Sequence, residues 1–409
     1  MNKYVESTLA RVIYASGFLY RLYKNIKVKR QKRILVTGTD AVGDTVCRSA
    51  FLRELRRSYP EYKITYVCHP SIKNMVETCP YIDEVFLYDN RVYKRRFLSN
   101  VKRSFVFIRR YFRDRNYEIA IVPYYDSIGI YPDMYISWFS GADKRIAYDE
   151  CVNEEMHDYF MGVHDLYFNR RCCHKEGKHE VESQLNLLEF MGNKVGDSSL
   201  ELWSTNDDKM AVDNLFSHYN VDERKTGIVV VLSSSSRTKD WPVDKYIDVC
   251  KKIEKVYDVN FFVVGAGKIA KQDAMQFKSS VINAYDFVDK TTLRQTSELI
   301  KRADVYFGGD TGPLHIAAVW GLQGVALYKN AKTSLRSPRS DERFAPWQSK
   351  IQIIQPEENL PGCEYDCGKD YHCINQISAD RVFLVIKEIC AGYIRGDGRE
   401  HSDCNLFKK

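Results

Sequence analysis

Residues 307–321 read FGGDTGPLHIAAVWG. The apolar residues of DVYF (304–307), which run into this stretch, suit a buried strand. Gly308 and Gly309 are free to take positive φ and to let the backbone approach a ligand. Asp310 or Thr311 is placed to cap the helix that follows, and Pro313 suits its first turn. A strand, a tight turn and a helix N-terminus with available N–H groups make an anion site. The same pattern also describes an ordinary capped helix of an α/β domain, and spacing alone does not separate the two.

The alternation of strand and helix extends outward from there. GIVVVLSS (227–234), NFFVVG (260–265), DVYFGG (304–309), VALY (325–328) and IQIIQ (351–355) read as strands. PVDKYIDVCKKIEKVY (242–257) and TLRQTSELIKRA (292–303) read as helices between them. In the first half RILVTG (33–38), ITYVCH (64–69), VFLY (85–88) and EIAIVP (118–123) are strands. A helix from Asp44 to Ser58 buries Leu52 and Leu55 and stops at Tyr59-Pro60. This order predicts parallel sheets with crossover helices. HEVESQLNLLEFMG (179–192) is an amphipathic helix, and the polar, poorly periodic stretch after it makes 196–225 the expected linker. The chain therefore divides into a basic N-terminal segment (1–32), a Rossmann-like domain (33–195), the linker and a second Rossmann-like domain (226–377). Residues 378–409 form a helix that crosses back onto the first domain, and a tail.

Two domains of roughly 150–200 residues fit the length of 409. A hydrophobic content of 44% with 28% charged residues is that of a soluble globular chain, and no apolar run is long enough to span a bilayer. The N-terminal thirty residues lack a continuous apolar core followed by a cleavage site, so they read as mature sequence. Twelve cysteines are scattered through both halves, several in predicted strands or helices (Cys47, Cys68, Cys250). That pattern fits reduced thiols in a cytoplasmic enzyme better than a disulfide framework.

The net charge of +7 is unevenly spread. Val12, Ile13, Phe18, Leu19 and Leu22 recur at helical spacing and are followed by Lys24, Lys27, Lys29, Arg30 and Lys32. Two readings stand: an interfacial helix on anionic lipid, or a helix packed on the first domain with a solvated basic end. Between Arg91 and Arg115 there are 10 Lys and Arg residues against one acid, Asp114, with Tyr93, Phe97, Phe105, Phe107, Ile108, Tyr111 and Phe112 interleaved. This bias points to an anionic acceptor, or to membrane-surface contact through 24–33 and 91–115. No nucleic-acid-binding motif accompanies it, so nucleic acid is not expected.

Four stretches offer chemistry. TDAVGDTV (39–46) joins the first strand to its helix, where open α/β sheets bind ligands. Only Gly38 and Gly43 are present, short of a dinucleotide fingerprint, which disfavours an oxidoreductase. Asp44 in the first helical turn is either a dipole-complementing cap or a general base, with Asp40 a weaker candidate for the base. SSSSRTKDWP (233–242) offers hydroxyls such as Ser234 and the cation Lys239 to phosphate oxygens, or is a plain polar loop. VVGAGK (263–268) brings Gly265 close to a nucleotide or makes a tight turn. His315, three residues after Gly312, either packs or donates to a phosphate or sugar. CEYDCGKDYHC (363–373) groups three cysteines with His372, as a zinc site or as a structural loop.

Asp44 in AVGDT, Lys239 in TKDWP, GDTGPLHIAA (309–318) and HEVESQLNLL (179–188) come in an order and spacing that resemble glycosyltransferase family 9, the lipopolysaccharide heptosyltransferases. The resemblance covers residues 33–390 and implies a GT-B fold, two Rossmann-like domains facing across a cleft. It implies a nucleotide-sugar donor such as ADP-heptose in the second domain, held by Ser234, Gly265, Gly309, Asp310, Thr311, Gly312 and His315. It implies an anionic glycan or glycolipid acceptor in the first domain, near Thr39, Asp40 and Gly43. Asp44 matches the family's base and Lys239 its diphosphate contact, for an inverting transfer that uses no metal and no cofactor. A helix N-terminus and a lysine are sufficient to stabilise charge on a leaving diphosphate. The sequence departs from the family after the VVG strand, where GAGKIAKQD has Lys268 and no ribose-binding Glu. The alternatives are a transferase with a non-heptose donor, or a non-catalytic carbohydrate- or nucleotide-binding protein at the membrane.

Overall fold

The computed structural model describes residues 3–90, 97–124, 130–153, 157–158, 160–173, 179–335 and 340–394. Arg91 to Arg96 of the basic run, and the tail past 394, lie outside the described residues. The chain forms two compact units, Met1–Trp203 and Ser204–Lys409.

Each unit is built on a six-stranded sheet whose pairings are all parallel. The first contains β1 (Gln31–Gly38), β2 (Lys63–Cys68), β3 (Glu84–Leu87), β4 (Tyr117–Ile121), β5 (Lys144–Tyr148) and β6 (Arg170–Cys172), in the order β3-β2-β1-β4-β5-β6. The second contains β7 (Thr226–Val231), β8 (Val259–Val263), β9 (Ala284–Asp286), β10 (Val305–Gly309), β11 (Gln323–Leu327) and β12 (Lys350–Ile354), in the order β12-β11-β10-β7-β8-β9. Counted from its own first strand, each unit follows the doubly wound order 3-2-1-4-5-6. Central strands buried on both faces read as unbroken apolar runs: Ile34, Leu35 and Val36 in β1, and Ile228, Val229 and Val230 in β7, are wholly buried. Each such side chain stabilises the fold by about 1.5–3 kcal/mol. β5, β6 and β9 carry no comparable signal, since KRIAY, RRC and AYD are short and polar at their ends.

The strand order reverses between β1 and β4 and between β7 and β10. Ligands of open α/β sheets bind beyond the carboxyl ends of the strands at such points. The loops after these four strands are therefore the ones that position a site.

Several elements differ from the sequence expectation. The helix after β1 starts at Val42 and breaks at Arg48, giving Val42–Cys47 and Ser49–Ser58. Much of the expected linker is a helix, Asn206–His218, capped by Thr205 and belonging to the second unit. Its Phe216 ring lies 5.2 Å from Phe262 and 5.8 Å from Phe287. Of this helix's apolar residues only Val212 and Phe216 are buried, too few to give a clear period. The last helix, Ala379–Ile394, sends Val382, Ile386 and Cys390 into the core of the second unit, beside the helix Val243–Glu254, where the sequence reading sent it to the first domain. Trp241 anchors the entry to this helix by donating from Nε1 to Ile377 O at 3.1 Å.

The N-terminal helix, Lys3–Lys27, packs on the first unit. Tyr14 stacks on Trp138 at 4.5 Å, and Arg21 lies 4.3 Å from the same ring. Arg21 donates to Trp138 O (3.2 Å) and Ala142 O (2.9 Å), and Lys24 donates to Ser140 O (2.6 Å). These two cations satisfy carbonyls at the C-terminal end of the helix Ile130–Phe139, where positive charge is favoured. Burial pushes Lys24 down to about 7 and Arg21 to about 9. Lys24, expected on a solvated basic end, is thus part of the interior.

Candidate functional site

In the first unit β1 ends at Gly38, where an added Cβ would stand 2.1 Å from Tyr66 Oη and 2.3 Å from Arg48 Nη1. Glycine is required because those two side chains meet under the loop. Arg48 is wholly buried, grips both carboxylate oxygens of Asp40 (Nη1 to Oδ1 3.0 Å) and donates to Tyr66 Oη at 2.9 Å. Thr39 Oγ1 donates to Asp133 Oδ2 at 2.8 Å, and Asn90 Nδ2 donates to both Thr39 O and Thr39 Oγ1 at 2.9 Å. Tyr124, just beyond β4, donates to the same Asp133 oxygen. Burial pushes the Asp133 carboxyl up to about 7; hydrogen bonds from Tyr124 and Thr39 oppose this and the charge of Asp40 adds to it.

Thr39 and Asp40 are thereby held by an internal network. Asp40, expected as the weaker candidate base, is the ion partner of Arg48, which holds both of its carboxylate oxygens. Asp44 sits differently. It is the third residue of the helix Val42–Cys47, is half-buried, follows Gly43 in the same turn and accepts from Ala41 N–H at 3.2 Å.

In the second unit Gly308 and Gly309 are both strand residues of β10 and neither has positive φ, contrary to the reading of a glycine turn. Gly308 is instead a matter of space, for a Cβ there would lie 2.7 Å from Val231 Cβ and 2.8 Å from Tyr306 Oη. At Gly309 a Cβ would make ordinary contacts, 3.7 Å from Leu327 O and from Lys239 O. Thr311 is the N-cap of the helix Gly312–Val319, with Pro313 in the first turn, but the Thr311 side chain makes no capping hydrogen bond. The Thr311 hydroxyl thus leaves the first amides of this helix to the loop in front of them.

Beside it, Asp310 Oδ2 accepts from Lys239 Nζ at 2.9 Å and from Ser340 Oγ at 2.8 Å. Burial disfavours the Asp310 charge, yet Lys239 and His315, with the hydrogen bonds from Lys239 and Ser340, hold its carboxyl below the ordinary range. Lys239 ends the 3-10 turn Arg237–Lys239 after β7 and keeps 40% of its side chain exposed, against 11% for Asp310. His315 is buried at 3% exposure, edge-on to Phe344, so it acts on the loop from beneath. Ser234 is committed to its own loop: its N–H donates to Asp240 Oδ1 (2.6 Å) and its Oγ donates to Ser236 O (2.8 Å). Gly265 lies on the separate loop after β8. There the acid is Asp289, whose carboxylate accepts from Gly267 N–H at 3.0 Å and pairs with Lys271 at 3.1 Å.

The structure thus gathers Lys239, Gly309, Asp310, Thr311 and Gly312 around one helix end. Arg48, Asp133, Tyr124 and Ser340 were not singled out from sequence. Asp133 had a signal, an acid inside the apolar run IYPDMYISWF; Arg48, at the break between two helices, had none. Ser340 had none.

The family model described as "Glycosyltransferase family 9 (heptosyltransferase)" matches residues 136–370. The chain is 22% identical over 367 residues to the lipopolysaccharide core heptosyltransferase OpsX of Haemophilus influenzae, covering 88% of this chain and 97% of that protein. Its fold is similar to a glycosyl transferase family 9 structure from Veillonella parvula, with TM-score 0.69, 17% identity, and coverage of 88% of this chain and 97% of that one. It is also similar to the E. coli heptosyltransferase WaaC with ADP, with TM-score 0.63, 13% identity and coverage of 87% and 99%. With the doubly wound pair of sheets, the loop motifs in place and the family model matching more than half of its length, the chain belongs to glycosyltransferase family 9, the heptosyltransferase family, and is a glycosyltransferase of the GT-B fold.

Proposed function

We propose that this glycosyltransferase moves a heptose from ADP-heptose to an anionic lipopolysaccharide-type acceptor, with inversion and without a catalytic metal. The observation that carries the reading is the half-exposed Lys239 beside the amide end of Gly312–Val319, where the N-cap Thr311 makes no side-chain capping bond. A diphosphate has two negative groups to place there, and the helix end and the ammonium suit them. The solved relatives include WaaC with ADP and with ADP-2-deoxy-2-fluoro heptose, which supports the nucleotide.

In this mechanism Asp44 takes the proton of the acceptor hydroxyl as its oxygen attacks the anomeric carbon, opposite the diphosphate. The bond from that carbon to the phosphate oxygen breaks, and its electron pair leaves with ADP. Lys239 and the helix amides stabilise the new charge, as preorganised donors do. Gly43 and the loop of Thr39 and Asp40 shape the acceptor side. A transferase with another donor is the second reading, favoured by Lys268 and the absence of a Glu in GAGKIAKQD.

The decisive variant is Asp44→Ala. Transfer from ADP-heptose is expected to fall by about 10²–10⁴-fold, the range of a lost general base. ADP-heptose should still raise the melting temperature of the variant, as a ligand of the folded state does. Undiminished transfer would remove Asp44 from the mechanism.

The same reading brings the protein to a membrane surface. Val12, Phe18, Leu19, Leu22 and Ile26 of the N-terminal helix are exposed. The helix Phe97–Tyr111 lies alongside, Tyr20 meeting Phe105 edge-on at 5.1 Å, and adds exposed Lys102, Arg109 and Arg110. An apolar strip with flanking cations suits an anionic lipid surface. Leu19→Glu with Ile26→Glu is expected to abolish sedimentation with phosphatidylglycerol vesicles; equal binding by the wild type to neutral vesicles would count against the charge argument.

A further inference from the structure

Between β12 and the last helix, residues 355–372 contain no helix or strand. Irregular segments of this length inside a compact domain need something to hold them. The buried centre of this one is Cys363, Cys367 and Cys373, and among the described residues Leu360 alone is the apolar side chain packed on them. That is too little apolar surface to order such a segment.

The side chains in that centre have a particular geometry. His372 Nδ1 lies 3.5 Å from Cys363 Sγ, 3.4 Å from Cys367 Sγ and 3.6 Å from Cys373 Sγ. The four ligand atoms all fall within 4.8 Å of one another. A ring N–H donates to one acceptor well, so near-equal approach to three sulfurs is not the pattern of a hydrogen bond. A tetrahedral ion with metal–sulfur distances of about 2.3 Å and metal–nitrogen of about 2.0 Å sets nitrogen and sulfur roughly 3.5 Å apart. A disulfide would draw two sulfurs to about 2.0 Å and leave the third thiol over; all three cysteines are free thiols.

We propose that Cys363, Cys367, Cys373 and His372 Nδ1 hold one tetrahedral, thiolate-preferring metal ion, zinc or iron. Four protein ligands close the coordination sphere, so the ion is structural and takes no part in sugar transfer. On binding, the three thiols release their protons to solvent and the imidazole binds neutral.

The cluster is tied to both flanking loops of the second unit. Tyr371, next to His372, donates from its N–H to Arg237 O at 3.3 Å, and the Arg237 guanidinium lies 5.5 Å from the Tyr371 ring. Arg237 opens the turn that carries Lys239. On the other side Lys329 Nζ donates to Cys367 O at 2.9 Å, and Ser334 Oγ donates to Glu364 O at 3.2 Å. The ion would fix the loop that presents Lys239; this consequence rests on the proposed donor site, whereas the metal assignment stands without it.

The test is elemental analysis of the full chain purified without chelator. About one zinc or iron per chain is expected, lost in Cys367→Ser and kept in Cys151→Ser, a control at an exposed thiol. Should the serine variant fail to fold, exchange of the wild type into cobalt(II) gives the same answer through tetrahedral ligand-field bands and thiolate charge transfer. Removing the ion with a chelator should lower the melting temperature. A chain without stoichiometric metal and without cobalt bands, or metal unchanged in Cys367→Ser, would overturn the proposal. Metal present in a wild type that transfers no sugar would leave this site standing and strike only at the proposed function.

Discussion

At the first unit's switch point, Thr39 donates to a wholly buried Asp133 and Asp40 is clasped by a wholly buried Arg48. At the second unit's, Asp310 pairs with a lysine whose side chain is 40% exposed. The strand order is the same in both units, and a side-chain bond crosses each reversal, Thr39 to Asp133 in the first and Lys239 to Asp310 in the second. The burial of the cation differs. A guanidinium sealed in the interior cannot exchange its partner, since leaving either charge unpaired there costs several kcal/mol. An ammonium at the surface can trade a carboxylate for a phosphate with little desolvation. On the proposed function the second loop is the one that takes an anion, while the first is a stiff frame next to the helix that carries Asp44.

After Asp44→Ala, the largest effect expected is that of Lys239→Ala. Loss of a charged hydrogen bond of about 1.5–3 kcal/mol should weaken ADP binding by about 10–100-fold, measured by calorimetry. Thr39→Val should leave ADP binding unchanged. Equal losses in the two variants would break the contrast between the crevices.

Packing sharpens it further. Gly38→Ala places a Cβ 2.1 Å from Tyr66 Oη and should cost about 1–3 kcal/mol in urea unfolding. Gly309→Ala meets nothing closer than 3.7 Å and should cost less than about 0.5 kcal/mol. The frame is tight where the guanidinium is buried and has room beside Lys239.

The smallest effect expected is a slope with pH. With the Asp133 carboxyl near 7 when folded and an ordinary value of about 3.9 when unfolded, the folded state holds the extra proton between those values. Stability contributed by this group is thus greatest in acid, falls as the pH rises through that window and levels off above about 7. Arg48, Asp40, Tyr124 and Tyr88 are among its charged and titrating neighbours. Urea midpoints from about pH 5 to pH 8 should flatten in Asp133→Asn. Asp310→Asn should leave the slope in place, because the Asp310 carboxyl is held low.

Much of the architecture was legible in the chain. Unbroken apolar runs such as ILV (34–36) and IVVV (228–231) announce strands covered on both faces, and the turn residues between them mark the loops. The short edge strands β6 and β9 were not legible, because three residues cannot show a period. The helix Asn206–His218 was lost in a polar stretch for the same reason. Of the candidate site, Asp44, Lys239 and the turn at Asp310 were visible as motifs, but their partners were not.

The sequence by itself determined the doubly wound class, the loops at the carboxyl ends of the strands and the residue types offered there. These follow from local patterns of apolar and turn residues. The tertiary structure alone decided which charges are sealed and which stay exchangeable. Asp40 and Asp310 look alike in the chain, yet one faces a buried arginine and the other a surface lysine and a serine thirty residues on. The cysteines of 363–373 likewise acquire their meaning only when folding brings three sulfurs around one imidazole nitrogen. Solvent exposure and distance are properties of the packed chain, and they set both the strength of a charge and its freedom to bind something new.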